Sequence, residues 1–391
     1  FNGDAMFERS RFTDDCSFED TTFEGAVDFD EVLFEGDAEF SAAVFVSDAV
    51  FRGAEFKGGT NYLDDNVIFE DAAFVGDADF QDVVFSSANF LDTKFEGYVD
   101  FTDATFNEEL HLKAVSLGDD TYLNFTDATI SEGRITQPSD GWVRIDMTHA
   151  TIGDVELSAE DPTDERELLD YYRFCDTTFD EFDFSAHTAY LNRNDWKLHT
   201  FDDGTRDYEF TVEMTPSITE KTYLNAKQNA SDQSNTKAAG EFRVKRQQNA
   251  REKFFNIARD RNESIITRTQ NALRGIENWF LGVSCGYGLR LYRVTVVFIL
   301  FPMIAAGIFA LGGPMFETGA GQIAFSELFT TEGLNTLTLN IYFSYIPFLT
   351  VGYENLAPIG LGARFMAGSL VYMNVILAGL FLYALIKRSE V

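Results

Sequence analysis

Cysteine and the motifs of catalysis are scarce in this chain of 391 residues. The three cysteines, Cys16, Cys175 and Cys285, lie far apart, have no metal-ligand spacing and are odd in number. They predict neither a disulfide framework nor a metal site, and they favour a reducing compartment. No nucleophile–base pair or phosphate-binding loop occurs, because Gly286-Tyr287-Gly288 is too short for a nucleotide fingerprint. We therefore expect no enzyme activity and no cofactor.

Positive charge is also scarce. The chain has 30 Lys and Arg but 64 Asp and Glu, which gives a formal net charge of −34. The acids are concentrated at one end, because residues 1–160 carry 37 acidic and 8 basic side chains. Such a surface repels the phosphates of nucleic acid, so we expect no nucleic-acid partner. In halophiles that keep high internal salt, an acidic surface is a solubility device, and we favour this interpretation.

Phenylalanine recurs in the N-terminal part at spacings that alternate mainly between five and six residues. The positions are Phe7, Phe12, Phe18, Phe23, Phe29, Phe34, Phe40, Phe45, Phe51, Phe56, Phe69, Phe74, Phe80, Phe85, Phe90, Phe95, Phe101 and Phe106. A small or thin side chain, such as Ala5 or Cys16, stands two residues before each of them. A chain that turns after each short extended piece would direct both residues into a narrow core and leave the acids outside.

This pattern resembles the pentapeptide-repeat family, whose fold is a right-handed, four-sided β-helix. The resemblance implies a right-handed quadrilateral β-helix over residues 1–160, with a loop at Gly58-Gly59-Thr60 where the spacing slips. Residues 161–214 have no clear period and are interpreted as an irregular capping and connecting region. Such a cover is needed because the last coil of a solenoid would otherwise expose its core and its edge strands.

Two helical segments follow. Residues 215–263 predict a helical hairpin whose second helix is basic, and no aromatic side chains are interleaved there as a platform for bases. A solvated face near anionic lipid explains this charge better. Residues 264–290 predict an amphipathic helix, with apolar side chains on one face and Arg268 and Arg274 on the other. It would lie in the membrane interface or, alternatively, pack against the hairpin.

Residues 291–391 contain two segments long and apolar enough to span a membrane, 291–311 and 363–386. Between them, residues 335–348 predict a helix that re-enters half of the bilayer. Basic residues precede the first span and follow the second, which predicts cytoplasmic N- and C-termini in a cell membrane protein with two spans. The first residues have no signal-peptide pattern, which agrees with an N-terminal part that stays in the cytoplasm.

Thr350-Val351-Gly352-Tyr353 stands between an aromatic segment and Pro358. It resembles the selectivity filter of potassium channels, and with Arg364 the resemblance extends to the start of the inner helix. The resemblance implies a homotetramer in which the backbone carbonyls of these four residues replace the hydration shell of K⁺. It also links the helical hairpin to the connector of prokaryotic channel proteins that carry pentapeptide repeats.

Two residues depart from that family. Glu354 and Asn355 stand where the family has Gly and usually Asp, and the first position commonly needs φ > 0, which strains a glutamate. Strict potassium selectivity is therefore an open question, and a ring of Glu354 carboxylates at the outer mouth would instead concentrate cations.

Three residues of the second span are candidates for the cavity and the gate. Asn374 stands midway along this span, where many channels have a hinge glycine, and we expect it to line the cavity while bending shifts to Gly368 or Gly379. An interhelical hydrogen bond is the alternative role of Asn374.

The sequence thus predicts a multidomain chain: a β-helix, a helical linker hairpin and an all-α pore domain with a re-entrant helix. The function expected is a homotetrameric cation channel, conducting K⁺ or another monovalent cation and coupled to the cytoplasmic repeat domain. The alternatives are a membrane-anchored scaffold with a degenerate pore, or an interaction protein that mimics DNA. No segment has arginine at every third position, so no voltage sensor is expected, and nothing points to a regulatory ligand or protein.

Overall fold

A computed structural model describes residues 1–58, 66–116, 121–139, 141–160, 167–198, 214–311, 330–349, 358 and 360–389. The chain divides into two compact units, Phe1–Lys253 and Phe254–Val391. The boundary falls within a helix, Thr236–Arg259. The finer division into five segments stays a prediction.

The first unit is a β-solenoid, as the repeat predicts. Its strands are β1 (Ala5–Met6), β2 (Arg11–Phe12), β3 (Cys16–Ser17), β4 (Thr22–Phe23), β5 (Val27–Asp28), β6 (Leu33–Phe34), β7 (Ala38–Glu39), β8 (Val44–Phe45), β9 (Ala49–Val50), β10 (Glu55–Phe56), β11 (Val67–Ile68), β12 (Ala73–Phe74), β13 (Ala78–Asp79), β14 (Val84–Phe85), β15 (Ala88–Phe95), β16 (Val99–Asp100), β17 (Thr105–Ser116), β18 (Tyr122–Asn124), β19 (Thr129–Gln137), β20 (Arg144–Asp146), β21 (Thr151–Ala159), β22 (Tyr172–Arg173) and β23 (Thr178–Phe179).

Each early strand pairs in parallel with the fourth strand after it, so one turn of the solenoid holds four strands. Ala5 lies opposite Val27, and Val27 lies opposite Ala49. One face stacks eight strands in the order β1-β5-β9-β13-β16-β18-β20-β22. The alternation of five- and six-residue pieces therefore gives the first two coils 22 positions each, which keeps equivalent residues in register.

The core consists of columns of phenylalanine rings. In one column the ring of Phe51 stacks on Phe29 and on Phe80, each with centroids 5.0 Å apart. It also meets Phe40 and Phe69 of a second column edge to face, at 5.6 and 5.5 Å. Both geometries are favourable for aromatic pairs, so the ring contacts themselves stabilise the narrow core.

The small residues two positions before the aromatics point inward as predicted, and Ala49 and Ala54 are fully buried. Cys16 occupies such a position and is half-buried against this core. Burial, with a smaller effect of Asp15, raises the pKa of the Cys16 thiol to about 11. A thiol that stays protonated in this way is a packing residue and a poor nucleophile.

The acidic residues have structural roles at the corners. In the five-residue pieces a left-handed residue follows the aromatic by two, as at Asp20 (φ 54°) and Asp82 (φ 57°), and aspartate tolerates this conformation. In the six-residue pieces an aspartate accepts a hydrogen bond from the next coil: Asp15 Oδ1 lies 3.0 Å from the amide nitrogen of Asp37. Part of the negative charge therefore ties one coil to the next.

One coil is longer than the others. Ala49 lies opposite Ala78, so this coil spans 29 positions where the preceding coil spans 22. The extra length coincides with the loop predicted at Gly58-Gly59-Thr60, of which only Gly58 (φ 70°) is among the described residues.

The solenoid extends beyond residue 160, because β22 and β23 add strands within the segment expected to be an irregular cap. Helices α1 (Thr188–Arg193), α2 (Pro216–Asp232) and α3 (Thr236–Arg259) follow. Asn229 Nδ2 donates to the carbonyl oxygen of Phe182 at 2.6 Å, and Asn225 Nδ2 donates to that of Thr177 at 3.0 Å. Side chains of α2 therefore satisfy backbone groups at the end of the solenoid.

The second unit is all α in the residues that the structure describes. It contains α4 (Ile265–Cys285), a 3-10 turn (Gly286–Gly288), α5 (Leu291–Leu311), α6 (Thr331–Phe348) and α7 (Gly360–Ser389). Two stretches, Leu291–Ala310 and Gly360–Ile386, are long and apolar enough to cross a membrane. The helix predicted over 335–348 begins earlier, because Thr330 caps it by accepting a hydrogen bond from Gly333 N at 3.1 Å.

Candidate functional site

The core of the second unit lies where α6 packs against α5 and α7. Its buried residues come from all three helices: Ala305 and Phe309 from α5, Phe343 and Phe348 from α6, and Leu370 and Leu377 from α7. The shorter helix is thus held between the two long apolar ones.

The C-terminal end of α6 lies beside the middle of α5. The Phe348 ring contacts Phe298 at 4.9 Å and Phe301 at 6.3 Å between centroids. Since α5 runs from Leu291 to Leu311, both partners lie near its midpoint. Helix α6 therefore ends beside the midpoint of α5, and its re-entry into half of a bilayer stays a prediction.

The same contact region contains Pro302, which lies inside α5. Proline has no N–H, so the carbonyl of Phe298 loses its helical donor. The hydroxyl of Tyr345 in α6 donates to the neighbouring carbonyl, that of Ile299, at 2.7 Å. Helix α6 thus supplies a hydrogen bond one residue away from the carbonyl that Pro302 frees.

The residues predicted to form a filter, Thr350, Val351, Gly352 and Tyr353, lie outside the described residues, as do Glu354 and Asn355. The preceding residue, Leu349, is described, and its amide donates to the carbonyl of Tyr345 at 2.8 Å as the helix ends. The C-terminal end of a helix carries partial negative charge, which stabilises a nearby cation.

Helix α7 has one buried and one exposed side. Ala367, Leu370, Leu377 and Ala384 are buried. An exposed row, here called the α7 stripe, follows a spacing of four and three residues: Leu361, Phe365, Gly368, Tyr372, Val375, Gly379, Leu382 and Ile386. A Cβ atom added at Gly368 or Gly379 would meet no atom within 4 Å. The residues of the stripe are exposed in a single chain, and its two glycines leave space for an added side chain.

The structure separates the three residues expected at the cavity and gate. Gly368 and Gly379 belong to the α7 stripe, whereas Asn374 is half-buried. Asn374 lies four residues after Leu370 and three before Leu377, so it shares the face of these two buried residues. Whether Asn374 lines a cavity or bonds to another helix stays a prediction.

Helix α4 is amphipathic, but its inner side is polar. Its apolar side chains are exposed, with Ile265 at 79%, Leu273 at 63% and Trp279 at 51%. Asn271 and Asn278 are buried, and Gly275 faces Phe255 so closely that an added Cβ would lie 2.7 Å from its ring. The apolar side is thus exposed, while the small and polar side packs inside the unit.

Sequence reasoning missed the anchor between α4 and α5. Tyr287 has φ 55°, a left-handed conformation that is strained for a bulky side chain. Its hydroxyl donates to Asn278 Oδ1 at 2.9 Å and lies against Gly282. The only signal in the sequence is the Gly-Tyr-Gly run, whose second glycine also adopts a positive φ, 90°.

No group of three or more His, Cys, Asp or Glu side chains able to hold a metal ion occurs in the part of the chain that the structure describes. The cation expected in the sequence analysis would in any case be a permeant ion held by backbone carbonyls.

Comparison with known proteins identifies the N-terminal part alone. A family model described as pentapeptide repeats (9 copies) matches residues 18–61 and 62–105. No curated protein and no solved structure gives a significant match. The matched segments coincide with the phenylalanine columns and with the parallel pairing of every fourth strand. The first unit of this chain therefore contains a pentapeptide-repeat β-solenoid domain.

Proposed function

We propose that this chain is the subunit of a homotetrameric membrane cation channel that conducts K⁺ and is coupled to its pentapeptide-repeat domain. The observation that carries the proposal is the end of α6 beside the middle of α5, at Phe348. Thr350 follows two residues later in the sequence, and we place the segment with filter-like sequence near the mid-depth of a membrane as part of this proposal.

This depth matches the chemistry of ion conduction. A cation in the middle of a bilayer has lost most of its water and needs oxygen ligands in return. Backbone carbonyls of Thr350, Val351, Gly352 and Tyr353 would supply them, and the negative end of the α6 dipole would stabilise the same ion. One chain offers too few carbonyls to surround a cation, so four chains must share the site.

The α7 stripe supports the assembly of several chains. Apolar side chains at alternating spacings of four and three residues form the seam by which parallel helices pack. Small residues such as Gly368 and Gly379 let helix backbones approach closely in a membrane. We assign the stripe to contacts with neighbouring subunits and to the inner wall of the pore.

The exposed apolar side of α4 supports its place in the membrane interface, on the side of both termini. Trp279 belongs to this side, and tryptophan is enriched at such interfaces. Since α4 leads through Tyr287 into α5, a displacement of α4 along the interface would act on the first span. In this proposal, a movement of the repeat domain would act on the gate through α4.

Reconstitution in planar bilayers with opposed K⁺ and Na⁺ gradients tests the proposal. We expect a cation current whose reversal potential follows the K⁺ gradient, and we expect Gly352→Asp to abolish it. Gly3→Asp is the matched control, because a side chain at Gly3 meets no atom within 4 Å. A folded tetramer that passes no current, or a current unchanged by Gly352→Asp, would refute channel function and favour the scaffold alternative.

A further inference from the structure

Helix α3 is cationic within an acidic protein. It carries seven Lys and Arg against two Glu, whereas the whole chain has a net charge of −34. Some of these cations have a partner in the first unit: Lys245 Nζ lies 2.7 Å from Asp195 Oδ2. Other cations of α3 have no carboxylate nearby among the described residues or share one, so part of their positive charge is not balanced.

Among the described residues of α3, Arg243 has two buried guanidinium nitrogens without a hydrogen-bond partner, whereas Arg246 has one. The two nitrogens of Arg243 are Nε and Nη2. No carboxylate of the described residues pairs with its guanidinium. Leaving buried donors unsatisfied is unfavourable, so a guanidinium in this state favours any arrangement that supplies an acceptor. The residue as a whole is half-buried.

Arg246 and Lys253 continue the same side of α3 and share a single carboxylate. Arg246 Nε lies 3.7 Å from Glu220 Oε1, and Lys253 Nζ lies 3.4 Å from Glu220 Oε2. Both distances exceed those of a close charge-assisted hydrogen bond. Arg243 lies three residues before Arg246, so the two guanidinium groups project from neighbouring positions of one helix face. Three cations and one carboxylate thus leave an excess of two positive charges.

We infer that Arg243, Arg246 and Lys253 form a binding site for a phosphate group on the α2–α3 hairpin. Two guanidinium forks and an ammonium match the several oxygens of a phosphate monoester, and arginine binds this geometry through paired N–H groups. The bound group supplies the acceptors that Arg243 lacks. The phosphate belongs either to a small soluble molecule or to the headgroup of an anionic lipid.

The test uses the full chain in nanodiscs at constant ionic strength, so that screening does not change between samples. In the first arm the lipid is neutral phosphatidylcholine and inorganic phosphate is titrated while thermal unfolding is followed. In the second arm no phosphate is added and the nanodiscs contain phosphatidic acid. Arg243→Met is the test variant, and Arg261→Met removes an exposed charge just beyond α3 as the matched control.

We expect phosphate or phosphatidic acid to raise the unfolding temperature of the wild type and of Arg261→Met. The apparent affinity of Arg243→Met for phosphate should be about one tenth of the wild-type value, or lower, because hydrogen bonds to a charged group are lost. Without ligand, Arg243→Met should unfold at a higher temperature than the wild type, since its buried unsatisfied donors are gone. A response in the first arm identifies a soluble phosphate, and a response in the second arm alone identifies a lipid headgroup.

Equal responses of the two variants, or no response in either arm, would overturn the inference. A lower unfolding temperature of ligand-free Arg243→Met would also contradict it, because Arg243 would then be a structural residue. None of these outcomes depends on conduction, so failure here leaves the channel proposal untouched.

Discussion

The hydroxyl of Tyr345 donates a hydrogen bond to the main-chain oxygen of Ile299, at 2.7 Å. The bond joins the end of α6 to α5 one turn before Pro302. We predict that Tyr345→Phe lowers the free energy of unfolding by about 0.5–2 kcal/mol, because a carbonyl in an apolar setting loses a donor. Thermal unfolding of the purified protein measures this loss. Tyr342→Phe is the control, since Tyr342 is 59% exposed, and equal effects of both variants would contradict the role of the bond.

The phenylalanine columns should dominate the stability of the solenoid. Phe51 is fully buried, and Phe51→Ala should cost about 3–5 kcal/mol, because it removes a ring that stacks on two coils and leaves a cavity. Hydrogen exchange of the strands around Phe51 is the measurement. Met6→Ala, at a side chain that is 68% exposed, should leave this exchange unchanged. Slow exchange in Phe51→Ala would show that the rings do not hold the coils together.

Low pH should destabilise the region around α1, because His187 becomes protonated. Burial lowers the pKa of this imidazole, and the Asp183 carboxylate opposes the effect more weakly. The folded state therefore prefers neutral His187. Its contribution to stability is complete above the unfolded pKa of about 6.5 and is lost as the pH falls through the lower folded pKa.

Hydrogen exchange of α1 at about pH 7.5 and about pH 5.5, corrected for intrinsic rates, checks this prediction. We expect faster exchange at the lower pH in the wild type. His187→Gln does not titrate, so its exchange should depend much less on pH. A wild-type response no larger than that of His187→Gln would contradict the proton-linked loosening.

Glu354 should determine how strictly the proposed channel selects potassium. Its position commonly needs a positive φ, so Glu354→Gly should relax the backbone and raise the K⁺ to Na⁺ permeability ratio. Glu354→Gln keeps the side-chain size but removes the negative ring, so it should lower the conductance without raising that ratio. Reversal potentials and single-channel currents separate the two effects. An unchanged permeability ratio in Glu354→Gly would show that Glu354 does not limit potassium selectivity.

A larger side chain on the α7 stripe should disturb the assembled tetramer but not the single subunit. A Cβ at Gly379 meets no atom within 4 Å, and the same holds at Gly307 in α5. If neighbouring subunits pack on the stripe, Gly379→Leu should reduce the tetramer fraction seen by native mass spectrometry, while Gly307→Leu should not. Intact tetramers of Gly379→Leu would place the subunit contact on another face.

The sequence by itself determined the solenoid and the two apolar helices. The resemblance to the pentapeptide-repeat family implies four faces per turn, and with that number the spacing brings Phe29 onto Phe51, one coil away. Length and apolar composition specify a membrane-length helix in the same local way. The amphipathic pattern of α4 was also local, because exposed Ile265 and Trp279 follow helical spacing.

Tertiary structure alone decided what depends on contacts between distant segments. Only packing shows that Phe348 meets the middle of α5, that Asn374 shares the face of Leu370 and Leu377, and that Tyr287 anchors α4. The extension of the solenoid through β22 and β23 likewise depends on edge pairing with earlier coils. Periodicity reports which side of an element is apolar, but not which neighbour covers it, because that choice is made by residues far apart in the chain.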